Sequence, residues 1–178
     1  MKKIIFIIII LIMTGCKNDT SAKKVVSNYL NSYTNYTKDV ENELDKIVNN
    51  DLDLSSDAKK MYRKIMKKQY KDLEYTILSE EYDDDKALVT VRIKVYNLLE
   101  AENEVTKYLS KNLKDFYNER NEFDNEKYIL YKLNYLYNYD KKINFNIVFF
   151  LNYKDKEWSL VQPTDSDLEK LHGIYKET

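Results

Sequence analysis

Ala87, Val89, Val91, Ile93 and Val95 alternate without a break with Leu88, Thr90, Arg92, Lys94 and Tyr96, and this stretch constrains the fold more than any other. A strand projects successive side chains to opposite faces, so one face here is wholly apolar and the other mixed. The apolar face has to be covered. Upstream, Leu73, Tyr75 and Ile77 alternate in the same way, and the acidic run Asp83-Asp84-Asp85 between the two segments reads as a solvated turn, with calcium the remaining alternative. The two segments form a hairpin. Downstream, Ile143 to Tyr153 and Trp158 to Gln162 form a second hairpin around Lys154-Asp155-Lys156-Glu157, and Pro163 stops its last strand.

The cover for these strands is helical. From about Ala22 to Asn49, Val26, Leu30, Tyr33, Thr37, Val40, Leu44 and Ile47 recur at spacings of fours and threes, which predicts one long helix. Thr20 or Ser21 can cap its start, and Asn49-Asn50-Asp51 ends it. Ser55 or Ser56 opens a second helix to about Lys71. Val105, Tyr108, Leu109, Leu113, Phe116 and Tyr117 indicate a third, and Asp165 to Tyr175 a short closing one. Tyr128 to Tyr139 fits both periods; it reads as helix because Ile129 is its only β-branched residue. The expected class is α+β, as a single domain over residues 22–178. After residue 16 the chain has one glycine, Gly173, and one proline, so no linker or repeat is visible. Phosphate-cradling loops, which need several glycines, are excluded.

The first 16 residues set the compartment. Lys2 and Lys3 precede an apolar run from Ile4 to Met13, then Thr14 and Gly15 lead into Cys16, the only cysteine. Charged, apolar and small regions in that order form an export signal. The run stops well short of the roughly 20 residues that a spanning helix needs. The stretch resembles the lipobox of bacterial lipoproteins, in which the cysteine thiol is acylated and becomes the new N-terminus. Met13 and Thr14 stand where that family usually has Leu and Ala or Ser. The resemblance implies a signal peptide over residues 1–15 cleaved between Gly15 and Cys16, lipidation of Cys16, a tether over residues 16–21, and a domain anchored at the extracytoplasmic face of the cell membrane. Lys17 to Ser21, fully extended, reach at most about 17 Å. Loss of Lys2 and Lys3 leaves 27 basic against 30 acidic residues. That balance gives no argument for nucleic acid. An acylated Cys16 leaves no thiol for a disulfide, a nucleophile or a metal.

The order of two helices, hairpin, helical insertion, hairpin and terminal helix resembles the nuclear transport factor 2-like fold, a cone in which a long first helix backs a curved antiparallel sheet. The resemblance covers roughly Ala22 to Tyr175 and rests on the long first helix, on the strand KALVTVRIKVYNL followed at once by a helix, and on the late hairpin before Trp158. It implies either a pocket enzyme of the isomerase or dehydratase type or a non-catalytic binding domain, and fold alone does not choose.

Individual residues point to little chemistry. His172, the only histidine, reads as exposed or partly packed. Asp51, Asp53 and Ser55 begin like a calcium loop, but Ser56 stands where that loop needs glycine, and helix capping accounts for them. Ser21-Ala22-Lys23-Lys24 and Ser56-Asp57-Ala58-Lys59 fit S-x-x-K without the K-T-G that penicillin-binding enzymes also need. No catalytic residue, metal ligand or cofactor is nominated. The 17 tyrosines accompany 26 lysines and three arginines, the pattern of A/T-rich codons rather than of a selected surface. Trp158 would contribute roughly 3 to 5 kcal/mol if fully buried.

One constellation stands out. At 100° per residue, Lys59, Lys60, Arg63, Lys64, Lys67, Lys68 and Lys71 fall within one half of the second helix, opposite Ala58, Met61, Tyr62, Ile65 and Met66. A basic amphipathic helix either shows a solvated lysine face or lies against an anionic lipid or wall polymer. The expected function is that of a membrane-anchored, non-catalytic binding module for a protein or small ligand, with a pocket enzyme or a phage-exclusion or immunity lipoprotein as rivals.

Overall fold

The computed structural model describes residues 21–177. The signal, Gly15, Cys16 and Thr20 lie outside them. The architecture is α+β: the described residues form six α-helices and one open, four-stranded antiparallel sheet in the order β1-β2-β3-β4. The strands are β1 (Glu74–Asp83), β2 (Lys86–Tyr96), β3 (Lys142–Lys154) and β4 (Glu157–Leu160). Both hairpins fall where alternation puts them. The second closes through Asp155 and Lys156, with φ of 53° and 69°. Positive φ at both central residues matches the right-handed twist of the flanking strands.

The expected single long helix is two. α1 (Ala22–Thr34) stops at Asn35, Tyr36 turns left-handed at φ 50°, and Thr37 opens α2 (Lys38–Lys46). The amides of Tyr36 and Thr37 bond back to the carbonyls of Tyr33 and Ser32, satisfying the helix end. Apolar spacing survives the break because both helices present the same side to one core, through Val26, Leu30 and Tyr33 and then Val40, Leu44 and Val48. A π-helical turn, Ile47–Asp51, follows directly. Its wider winding brings Val48, rather than Ile47, to full burial.

α3 (Ser56–Lys71) starts on its Ser55 cap, which accepts from the Ala58 amide at 3.2 Å. Asn97 caps α4 (Leu98–Lys111), and Asp124 caps α5 (Asn125–Asn138), so the ambiguous segment is helical. A 3-10 turn, Leu113–Phe116, takes up the end of the expected third helix. α6 (Asp165–His172) opens on a capping box made by Thr164 and Asp167 and is closed by Gly173, short of the expected end at Tyr175.

Two cores result. The inner face of the sheet, Val89, Val91, Ile93, Val95, Ile147, Phe149 and Leu151, packs on α1, α2 and part of α3. A second cluster, Ala58, Ile65, Leu98, Ala101, Val105, Leu133, Leu136 and Tyr139, joins α3, α4 and α5. α3 belongs to both. Where they meet, buried Gln69 exchanges two hydrogen bonds with the backbone of Tyr96, at 3.0 and 3.2 Å. The Leu99 amide bonds the carbonyl of Gly173 at 3.0 Å.

Two expectations about single residues change. His172 is buried, not exposed, and its Nε2 shares a 3.1 Å hydrogen bond with the Tyr70 hydroxyl. Trp158 is half-buried, between the rings of Tyr82 and Tyr153 at 5.4 and 5.0 Å. It lies on the short edge strand, where no further strand pairs beyond it, so the cost expected for full burial does not apply.

Candidate functional site

Among the described residues the helices cover one face of the sheet and leave the other open. Cross-strand partners share a face in an antiparallel pair, so the register reads out the open side in rows: Glu74, Lys94 and Asn144; Thr76, Arg92 and Asn146; Ser79, Thr90 and Val148; Glu81, Leu88 and Phe150; Asp83, Lys86 and Asn152. The face has two zones. Its Tyr96 end is polar, carrying a Glu74–Lys94 pair at 3.4 Å. Its hairpin end is apolar: Leu88 lies beside Val148, Phe150 and Val161, which are 39%, 56% and 40% exposed. The Val161 amide bonds the Phe150 carbonyl at 2.8 Å, which fixes it next to that residue. Isolated exposed apolar residues are ordinary, whereas a contiguous group of them marks an interaction surface.

A half-open groove of about 380 Å³ runs along this hairpin end. Leu88 and Phe150 form its apolar floor, with Glu81, Asp83, Lys86 and Asn152 on its rim. Asp84 and Asp85 close the hairpin beside it. No ion pair holds Glu81, Asp83, Asp84 or Asp85 among the described residues, although Lys86 stands opposite Asp83 in the register.

At the polar end of this face two groups have proton affinities displaced away from neutrality: the bond from Lys142 holds the Glu74 carboxyl down, and burial with the bond to Asp72 pushes the Tyr96 hydroxyl up to about 12. Other displaced groups lie off the face. Burial pushes the hydroxyls of Tyr29, Tyr33 and Tyr70 up, and all three rings sit in the core beneath the inner face. Burial pushes His172 down to about 4. On the surface between α4 and α5, Lys141 bridges Glu100 and Glu104 at 3.2 and 3.1 Å, and Glu104 also accepts from the Tyr135 hydroxyl. These hydrogen bonds and charges hold the Lys141 ammonium above its ordinary range and the Glu104 carboxyl below its own. A proton-transfer site needs affinities moved toward neutrality; this network moves them away and serves to clamp two helices together. No group of three or more His, Cys, Asp or Glu side chains suited to a metal occurs among the described residues.

The seven cationic residues of α3 do not form one free face. Arg63 turns toward α2 and the π turn, bonding Asp45 Oδ1 at 2.6 Å and Asn49 Oδ1 at 2.6 Å. Lys59 reaches the Asn49 carbonyl at 3.4 Å. Lys68 turns the other way, donating to the carbonyls of Tyr137 and Tyr139 at 2.8 and 3.2 Å and lying 4.3 Å over the Tyr96 ring. Lys60, Lys64, Lys67 and Lys71 remain exposed. Lys60 pairs with Asp57, and Lys67 lies 4.8 Å over the Tyr36 ring.

The chain enters the domain at the hairpin end. The Ala22 amide donates to Tyr82 Oη at 3.4 Å and the Lys23 amide to Glu80 Oε1 at 2.8 Å. α1, 13 residues long, then carries the chain roughly 20 Å to Tyr36 and the Lys67 contact. No helix among the described residues is long and apolar enough to cross a membrane.

No family model and no curated protein matches the chain. Among solved structures it is similar to a candidate lipoprotein, YcdA, of Bacillus subtilis, with a TM-score of 0.49 and 15% identity. The match covers 89% of this chain and 57% of that one, so the chain spans little more than half the length of this neighbour.

Proposed function

We propose that the protein is a lipoprotein, acylated on Cys16 and held at the extracytoplasmic face of the membrane, that works as a non-catalytic binding module on a sheet-and-helix frame of the nuclear transport factor 2-like kind. One observation carries the binding role: the sheet presents, among the described residues, an uncovered face with an apolar zone at its hairpin end, while Tyr29, Tyr33, Tyr70 and His172, shifted by burial, sit in the core behind it and Tyr96, at the far polar end of the open side, is pushed away from neutrality. An enzyme of the isomerase type would place such groups in a closed pocket, and the groove here is open to solvent. The element order supports the fold-family reading; the break at Tyr36 departs from its long first helix.

The anchor has a direct test. Cys16→Ser is expected to abolish palmitate incorporation and leave the unprocessed precursor, since the chain has no other thiol. Label persisting in that variant would refute the assignment. Lys60, Lys64, Lys67 and Lys71 supply a second contact with anionic lipid or wall polymer, each lysine near the surface being worth about 1 kcal/mol. With the tether leaving at the hairpin end, that contact requires α1 to lie along the membrane. Changing the four to Gln should leave the label intact while the salt-sensitive part of membrane retention is lost.

The open face is tested by a photo-crosslinking residue placed at Thr90, at the centre of the face, or at Asn103, on the exposed side of α4. A discrete adduct in cells from Thr90 and none from Asn103 is the expected result. Equal labelling, or none from Thr90, would remove the sheet face as the binding surface.

A further inference from the structure

Apolar floor and acidic rim together define what the groove suits. Phe150, at 56% the most exposed of the large apolar side chains among the described residues, stands beside Leu88, Val148 and Val161, and this group offers burial to apolar side chains of a partner. Immediately next to it, Glu81, Asp83, Asp84 and Asp85 carry four carboxylates without an ion-pair partner among the described residues, against Lys86 alone. The neighbouring turn, Lys154-Asp155-Lys156-Glu157, balances its own charge. A docking surface so arranged favours an occupant that is apolar and cationic at once.

From this complementarity we infer that the hairpin end of the open face binds a cationic amphipathic polypeptide segment, its apolar side chains on Leu88 and Phe150 and its lysines or arginines on the acidic rim. The inference rests on the open-face reading above and names the class of ligand. Lipid is the poorer occupant: a rim of unpaired carboxylates is repelled by an anionic leaflet. A second copy of the chain has a cationic face on α3, yet that face exposes charge without apolar side chains, since Ile65 and Met66 are buried. Position adds to the argument. The chain enters beside Tyr82, which itself lines the groove, so a tether of about 17 Å keeps this end of the domain near the surface on which cationic amphipathic peptides accumulate.

Trp158 packs on the inner face, so the reporter is an environment-sensitive dye on Ser159→Cys, exposed on β4 opposite Asn152 of the groove, the acylated Cys16 leaving no other thiol to label. The full, processed chain in phosphatidylcholine liposomes is titrated with three synthetic peptides: one of Lys and Leu, one of Glu and Leu, and one of Lys and Ser. The Lys/Leu peptide alone is expected to give a saturable change in the dye's emission. Phe150→Ser, at an exposed position that folding does not need, should weaken it by about tenfold. Glu81→Gln with Asp83→Asn should weaken it by about fivefold at low salt, with the difference closing as salt rises.

Equal response to the Lys/Ser peptide, or no effect of Phe150→Ser, would reduce the site to a charged patch and overturn the proposal. So would an equal response to the Glu/Leu peptide. A change on adding phosphatidylglycerol vesicles without peptide would assign the face to lipid, and one growing with protein concentration alone would assign it to a second copy; either overturns it. If no peptide registers while Thr90 still forms its adduct in cells, the cationic ligand is wrong and the open-face reading stands. Loss of both signals ends both.

Discussion

Gly173→Ala should produce the steepest loss of stability of any single methyl added to this chain. Gly173 closes α6 at φ 71°, in the left-handed region, and a Cβ there would stand 1.9 Å from the Tyr96 carbonyl oxygen and 2.7 Å from Gln69 Nε2. The left-handed conformation costs a residue with a Cβ about 1 kcal/mol, and the clash adds the larger part. It is with backbone at the end of β2, which cannot rotate away, so α6 must move off the sheet and loosen the Gln69–Tyr96 bonds. Together roughly 3 to 4 kcal/mol is expected, a fall in Tm of about 10 °C for a domain of this size. Gly173→Asn separates the two causes, because Asn tolerates the left-handed region but brings the same Cβ. Thermal unfolding that finds Asn nearly as damaging as Ala supports contact as the cause. A wild-type Tm in either variant would show that α6 does not dock as described.

Lowering the pH from 6.5 to 4 should weaken the fold through one residue. His172 is buried beside Tyr70, and burial holds its folded pKa at about 4 against 6.5 for a free imidazole. In that window the unfolded chain binds a proton that the folded chain refuses, so stability is fully present above about 6.5 and declines as the pH falls toward 4. The difference corresponds to ~3 kcal/mol in total. Carboxylates begin to titrate below about 5, so the diagnostic range is pH 5 to 6.5. Urea unfolding across it should show the decline in the parent and a flat profile in His172→Gln, whatever that variant's absolute stability. A parent profile already flat there would mean that the imidazole is as accessible folded as unfolded.

Both effects sit at residues whose importance the sequence did not disclose. His172 and Gly173 close a short terminal helix, where periodicity has little to act on, and the sequence reads His172 as exposed or partly packed. Its burial depends on Tyr70, 102 positions away. The open face shows the same limit. Ile147 to Leu151 is a continuous apolar run that hides the alternation of Ile143, Phe145 and Ile147 with Asn144 and Asn146 before it, so the run by itself does not say that two large apolar side chains stay outside. Pairing with β2, whose own alternation is strict, sends Ile147, Phe149 and Leu151 inward and leaves Val148 and Phe150 outside. The lysines of α3 are instructive in the opposite sense. Their shared half of the wheel was legible, but two flanking elements, α2 and α5, take Arg63 and Lys68 out of the solvated set.

What the sequence determined by itself was local: both hairpins, the extent of α3 with a serine at its start, and the α+β class. Each follows from a period or a cap that acts within a few residues. Tertiary structure decided the rest. It broke the first helix at Tyr36, since apolar spacing is the same for one straight helix and for two that serve one core. It also divided the interior into two clusters sharing α3, and it chose which face of the sheet the helices cover and which remains open. Those outcomes depend on which surfaces meet across the chain, and a one-dimensional pattern records only that a surface must be buried.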